Sequence, residues 1–257
     1  MKLPAIPHEG TIFTQPYTIR TSDMEGSWKT SPVALCGMFL DAAGKHAHEM
    51  GVSVASLRET DRTWVLSRLA MTIERYPRVW ETVTIHTWPS GMSKVYAYRH
   101  FVIVDSAGDP LAGGSTSWLV IDAEKRRPVR VDRVFRDRGL SFPEGEPDGI
   151  PLKLGLPEEV THEKRFVVRH SDIDMNDHVT STSYLGWALE SVPDKVRAQA
   201  ELSELTVNFL TETLYGDTVV SSAGPDAQKG AFLHLIANAE DGREHARIRS
   251  EWRECED

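Results

Sequence analysis

The chain has 257 residues, 40% hydrophobic and 26% charged, a globular balance that excludes disordered and fibrous classes and allows one large domain or two small ones. Its net charge of −9 argues against general nucleic-acid binding, and no apolar run approaches the roughly 18 residues of a membrane span. Two cysteines, Cys36 and Cys255, exclude a disulfide scaffold or a cysteine-based zinc site, and with no apolar signal core at the start the expected setting is reduced and cytoplasmic.

In chain order, a short strand is predicted around Thr18 to Arg20, followed by a turn rich in Asp and Ser. A helix follows, capped by Ser31, opened by Pro32 and ended by Gly51. It is apolar nearly all round, which predicts burial. Strands are predicted over Val95 to Val104 and Ser115 to Ile121, with turns at Pro89 to Gly91 and Ser106 to Pro110. The segment from Pro128 to Glu163, rich in Pro, Gly and charge, reads as a linker without regular structure. Beyond it come a strand at Phe166 to Arg169, a helix from Ser181 to Ser191 stopped by Pro193, and strands at Leu202 to Leu210 and Ala231 to Ala239. Turns are read at Gly224-Pro225 and Asp241-Gly242.

The two halves repeat. Tyr17 to Glu25 matches Phe166 to Asp174 at an offset of 149, Leu66 to Val83 matches Leu202 to Val219 at 136, and Gly108 and Trp118 match Gly242 and Trp252 at 134. Each copy is a strand, a buried helix and a run of antiparallel strands. The economical way to bury the helix is to wrap the sheet around it. The expectation is therefore an α+β, tandem double hot-dog chain whose halves form a pseudo-dimer with one continuous sheet. Residues 1–127 would be the first half, 128–163 the linker and 164–257 the second half.

The chemistry is expected in the second copy. Asp172-Ile-Asp174-Met-Asn176-Asp-His178-Val179 stands directly before its helix, whereas the first copy has Asp23-Met-Glu25-Gly-Ser-Trp28 there. A lone His at this place reads as a cap or a bonded core residue. Beside Asp174 and Asn176 it reads as a site: a helix N-terminus favours a developing oxyanion, an amide donates to it, and an imidazole relays a proton near neutral pH. Glu212 offers a second carboxylate opposite Tyr76 of the first copy, although a strand-end Glu in solvent is an equal reading. Lys125 to Arg138 holds seven basic and two acidic residues, which suits either a solvated linker or a docking surface for an acidic partner or a phosphate.

The chain resembles the acyl-acyl-carrier-protein (acyl-ACP) thioesterase family over about residues 10–255. The resemblance rests on Trp64-Val-Leu-Ser-Arg68, Ile73-Glu-Arg-Tyr-Pro77, Thr87-Trp-Pro89, Tyr98-Arg-His-Phe101, Ser117 to Asp122, Asp172 to Val179, Tyr184, and Glu212 with Gly216-Asp217. It implies a double hot-dog enzyme that hydrolyses fatty acyl thioesters on the acyl carrier protein and so ends chain elongation, with no metal or cofactor. Asp174, Asn176 and His178 match the family's Asp-x-Asn-x-His motif, and Glu212 matches a Glu assigned to water activation. Plant members carry Cys after that Glu. Here it is Thr213, so a cysteine nucleophile is untenable at that position. Met38 and Phe39, whose helical spacing reads first as ordinary core, join Arg130 and Thr213 as substrate-binding candidates. An acyl-CoA thioesterase and a non-catalytic acyl-binding protein stay open as alternatives, as does a homodimer.

Overall fold

The computed structural model describes every residue except Met1, Glu9, Ser27, Glu256 and Asp257. Two compact units divide between Pro151 and Leu152.

The N-terminal unit contains strands β1 (Phe13–Thr18), β2 (Arg62–Ile73), β3 (Thr82–Met92), β4 (Tyr96–Val104) and β5 (Pro110–Asp122). They form an antiparallel sheet in the order β1-β3-β4-β5-β2. Helix α1 (Pro32–Glu49) begins as the sequence predicts: Ser31 Oγ accepts from Val33 N at 3.1 Å, and Pro32 takes the first helical position. Leu35, Cys36, Met38, Phe39, Ala42 and Ala43 are buried along it. Burial pushes the Cys36 thiol up to about 12, so this sulfur stays protonated and unreactive. Gly51 ends the helical stretch in the left-handed region at φ 70°. The one-turn helix α2 (Val54–Arg58) follows.

The linker prediction needs correction. Val131–Arg136 forms helix α3, and its Val131, Val134 and Phe135 pack into a core with Val52, Leu57 and Val120. An apolar i, i+3, i+4 spacing hidden among seven basic residues was the available signal. Pro89 to Gly91 is also no turn. It lies inside β3, where the register shifts against β4. Gly91 is needed there, because a Cβ would stand 2.7 Å from the Gly145 carbonyl oxygen.

The C-terminal unit repeats the plan with β6 (His162–Val167), α4 (Ser181–Glu190), α5 (Asp194–Gln199), β7 (Ala200–Phe209), β8 (Thr218–Pro225), β9 (Ala231–Asn238) and β10 (Glu244–Glu254). Its antiparallel order, β6-β8-β9-β10-β7, is that of the first unit strand for strand. The 10 residues of α4 against the 18 of α1 account for part of the shrinking repeat offset. Gly224-Pro225, read as a turn, closes β8 instead, and Gly224 admits the Glu159 carbonyl where a Cβ would collide. Among the described residues no helix is long and apolar enough to cross a membrane.

Each core also holds a buried imidazole. In the C-terminal unit His234 Nε2 meets Ser250 Oγ at 2.8 Å, and in the N-terminal unit His46 Nδ1 accepts from Arg99 at 3.0 Å. Burial lowers His234 to about 3 and His46 to about 4, from the usual 6.5. Below that usual value the unfolded chain gains protons that the folded chain refuses, so stability declines as pH falls from about 6.5 toward 4. Thermal midpoints measured across this range are expected to fall, and His234→Gln to make the fall shallower. An unchanged slope in the variant would remove His234 from the account.

Candidate active site

The loop entering α4 is closed by backbone hydrogen bonds. Thr180 N donates to Asp172 O at 2.8 Å and Asp174 N to His178 O at 2.8 Å, while Ile173 and Val179 bridge. The Asp172 carboxylate fixes the loop's start by accepting from Arg169 N at 2.8 Å and pairing with the Arg169 guanidinium at 3.2 Å. The tip needs a left-handed residue, supplied by Asp177 at φ 62°, a conformation Asp tolerates.

Asp174 holds Asn176. One carboxylate oxygen accepts from Asn176 N at 2.7 Å, and the other lies 3.4 Å from Asn176 Nδ2, an Asx turn that directs the side-chain amide. His178 Nε2 stands 3.0 Å from Glu212 Oε2. These two side chains are 32% and 39% exposed, so a substrate can reach them. The four residues singled out in the sequence thus form two side-chain pairs, Asp174 with Asn176 and His178 with Glu212.

Thr213 anchors the arrangement from below. It is fully buried, its carbonyl accepts from Val179 N at 3.2 Å, and its hydroxyl accepts from Tyr184 at 2.8 Å. Burial pushes the Tyr184 phenol up to about 12, which keeps the donor protonated. In the sequence Tyr184 stands out only through the family resemblance, and nothing local signals this bond. The other substrate-binding candidates stand in the N-terminal unit. Met38 and Phe39 are buried on α1, with Phe39 stacked on Phe101 at 4.9 Å between ring centres. Arg130 precedes α3 and pairs with Asp132 at 2.6 Å.

The N-terminal unit keeps the loop and changes its contents. Ser31 N donates to Asp23 O at 2.8 Å, Glu25 N to Lys29 O at 2.9 Å, and Trp28 takes the left-handed position at φ 62°. Lys29 and Tyr76 replace His178 and Glu212, and they meet as a cation over an aromatic face at 5.9 Å. The helix starts differ as well. Ser31 and Pro32 close the N-terminus of α1, whereas Thr180 makes no side-chain bond to the α4 backbone and bonds the Thr182 hydroxyl at 3.2 Å. Ser181 carries the N–H that Pro32 lacks, so α4 presents donors at its first turn. Replacing Thr213 by Val strands the buried Tyr184 hydroxyl and is expected to cost about 1–3 kcal/mol in urea unfolding. Thr213→Ser retains the acceptor and is expected to cost less.

Residues 10–138 match the family model "Acyl-ACP thioesterase N-terminal domain", and residues 156–254 match "Acyl-ACP thioesterase C-terminal domain". The oleoyl-acyl carrier protein thioesterase of Coriandrum sativum is 26% identical over 98% of this chain and 80% of its own length. The dodecanoyl-[acyl-carrier-protein] hydrolase of Cinnamomum camphora is 27% identical over 96% and 69%. Among solved structures, the 12:0-ACP thioesterase of Umbellularia californica superposes with a TM-score of 0.85 at 23% identity, covering 97% of this chain and 100% of that one. An acyl-ACP thioesterase of Bacteroides thetaiotaomicron gives 0.78 at 22%, covering 94% and 98%. These likenesses bear out the double hot-dog fold, and with both family models matched across nearly its whole length, the chain belongs to the acyl-ACP thioesterase family.

Proposed function

We propose that His178 and Glu212 act as one proton-accepting unit, activating the water with which this acyl-ACP thioesterase hydrolyses fatty acyl-ACP to free fatty acid and holo-ACP. The observation that carries the reading is the 3.0 Å contact between His178 Nε2 and Glu212 Oε2, replaced at the N-terminal loop, which makes the same backbone bonds, by Lys29 and Tyr76. A neutral imidazole donates to the carboxylate, and the carboxylate stabilises the imidazolium that forms when the pair takes a proton. An imidazole suits this task near neutral pH.

The steps balance. Water attacks the thioester carbonyl and gives one proton to the pair. The carbonyl oxygen becomes an oxyanion, met by the Asn176 amide that Asp174 directs and by the N–H groups at the first turn of α4. Collapse expels the carrier's pantetheine thiolate, which takes the proton back. No covalent acyl-enzyme is needed: Thr213 is buried with its hydroxyl bound to Tyr184, and Cys36 lies in the core of the other unit.

For the carrier protein, the basic stretch around α3 is the proposed docking surface. Lys125 and Arg136 hold side chains 71% and 75% exposed. Arg130, already matched by Asp132, lies between them in sequence. Exposed charges of this kind act on encounter rate more than on stability.

His178→Ala, Glu212→Gln and Asn176→Ala are each expected to lower kcat on acyl-ACP by about two orders of magnitude or more. The double variant His178→Ala, Glu212→Gln is expected to be no slower than its slower parent, because groups acting as a unit are not additive. Losses that multiply would refute the unit. Arg130→Glu is expected to raise KM for acyl-ACP and leave acyl-CoA hydrolysis unaffected. Equal release of acid from acyl-CoA and acyl-ACP in the parent protein would count against carrier docking.

A further inference from the structure

We infer that His245 is a positioning residue: its imidazole fixes the Thr211–Glu212 peptide, and with it the direction in which Glu212 leaves the end of β7 to meet His178. The inference rests on the role proposed above for Glu212.

The register of β10 against β9 shifts between Glu244 and Ala246, so His245 has no opposite residue on β9. Strict alternation would send it outward with Arg247. Instead His245 and Ala246 are both fully buried, and a bulge of this kind re-aims a side chain. The residue then holds Thr211 from both sides. Its carbonyl accepts from Leu210 N at 2.8 Å and from Thr211 N at 3.3 Å. Its Nδ1 lies 3.3 Å from the Thr211 carbonyl oxygen and 3.2 Å from Thr211 Oγ1.

The tautomer follows from these partners. A carbonyl oxygen only accepts, and the single hydrogen of the Thr211 hydroxyl goes to Glu244 O, so Nδ1 is the donor in both contacts. Nε2 is then a bare lone pair, buried and without a hydrogen-bond partner among the described residues. Burial also lowers the His245 pKa, which keeps the ring in this neutral form. The Thr211 carbonyl and Glu212 N belong to one rigid peptide plane. A bond to that carbonyl therefore orients the Glu212 backbone directly.

The N-terminal unit shows what the fold alone requires. The same irregularity occurs between β4 and β5, and there Leu111 O accepts from Glu74 N at 2.8 Å and from Arg75 N at 3.1 Å. Leu111, buried, stands where His245 stands in the repeat, and Glu74 and Arg75 stand where Leu210 and Thr211 stand. The backbone half of the device therefore works with an aliphatic side chain. The imidazole belongs to the copy that holds the His178–Glu212 pair.

The test compares His245→Leu, His245→Asn and Glu212→Gln in the full chain with acyl-ACP as substrate. His245→Leu installs the residue of the other copy. It is expected to keep the thermal midpoint within a few degrees, to lower kcat at least about tenfold with KM moved less than about twofold, and to displace the limbs of the kcat–pH profile. His245→Asn places an amide N–H where Nδ1 was, and is expected to recover most of the lost kcat even though its smaller side chain lowers the midpoint. A purely structural role predicts the reverse ranking, with Leu more active than Asn. Adding His245→Leu to Glu212→Gln is expected to cost little more. Wild-type turnover in His245→Leu beside a crippled Glu212→Gln overturns this inference alone, as does a kcat loss in Asn equal to that in Leu. Wild-type turnover in Glu212→Gln overturns the role of Glu212 and this inference with it.

Discussion

Two backbone hydrogen bonds set where the functional side chains stand. Thr180 N to Asp172 O and Asp174 N to His178 O close the loop before α4, so that residues 174, 176 and 178 project from a fixed frame at a helix N-terminus. Because both bonds are made by backbone groups, the side chains they carry are free to change. The N-terminal unit forms the same two bonds, with the same left-handed residue at the tip, around an unrelated set of side chains. The reading proposed above puts the chemistry in four substitutions: in the sequence repeat, Asp174, Asn176, His178 and Glu212 align with Glu25, Ser27, Lys29 and Tyr76.

The divergence extends to the helix. At the start of α1 proline removes one donor and the Ser31 cap occupies another. The Thr180 hydroxyl of α4 turns to Thr182 rather than to the helix backbone. The cap costs the C-terminal unit of the order of 1 kcal/mol when forgone. Its absence leaves amide donors at the start of α4, where the proposed mechanism needs them for an oxyanion. On that reading, stability is given up at one helix end for chemistry.

Much of this was legible in the sequence where local chemistry decides structure. Ser31, Pro32 and Gly51 mark α1 because capping and left-handed backbone have few residue solutions. The catalytic loop was legible through comparison of the two copies, since a turn requirement recurs and Asn176 and His178 do not. Position 76 opposite 212 likewise pointed to Glu212, although its meeting with His178 joins residues from a loop and a distant strand end. What failed was the reading of two stretches, Pro89 to Gly91 and Gly224-Pro225, as turns. Pro89 to Gly91 lies in β3 because a neighbouring segment approaches too closely for a Cβ, a tertiary constraint with no local signature. Helix α3 was hidden by its charges. His245 was invisible because a strand irregularity, not its neighbours in sequence, turns it inward.

The energetics explain why one copy could lose the site and keep the fold. An ion pair as exposed as His178 with Glu212 contributes about 0–1 kcal/mol to stability. Lys29 over the buried Tyr76 ring contributes about 0.5–2 kcal/mol. Both amounts are small, so neither outer pair decides whether its unit folds. The fully buried partners lie one layer deeper: Tyr184 with Thr213 in the catalytic unit, and Thr30 in the other, whose hydroxyl donates to Pro77 O at 2.7 Å. Those contacts tie α4 in one unit and the loop in the other to the segment after the paired strand, and breaking one leaves a buried polar group without its partner. The scaffold's stability and the groups proposed to react are carried by different atoms, so the outer pair can change while folding holds the inner tie.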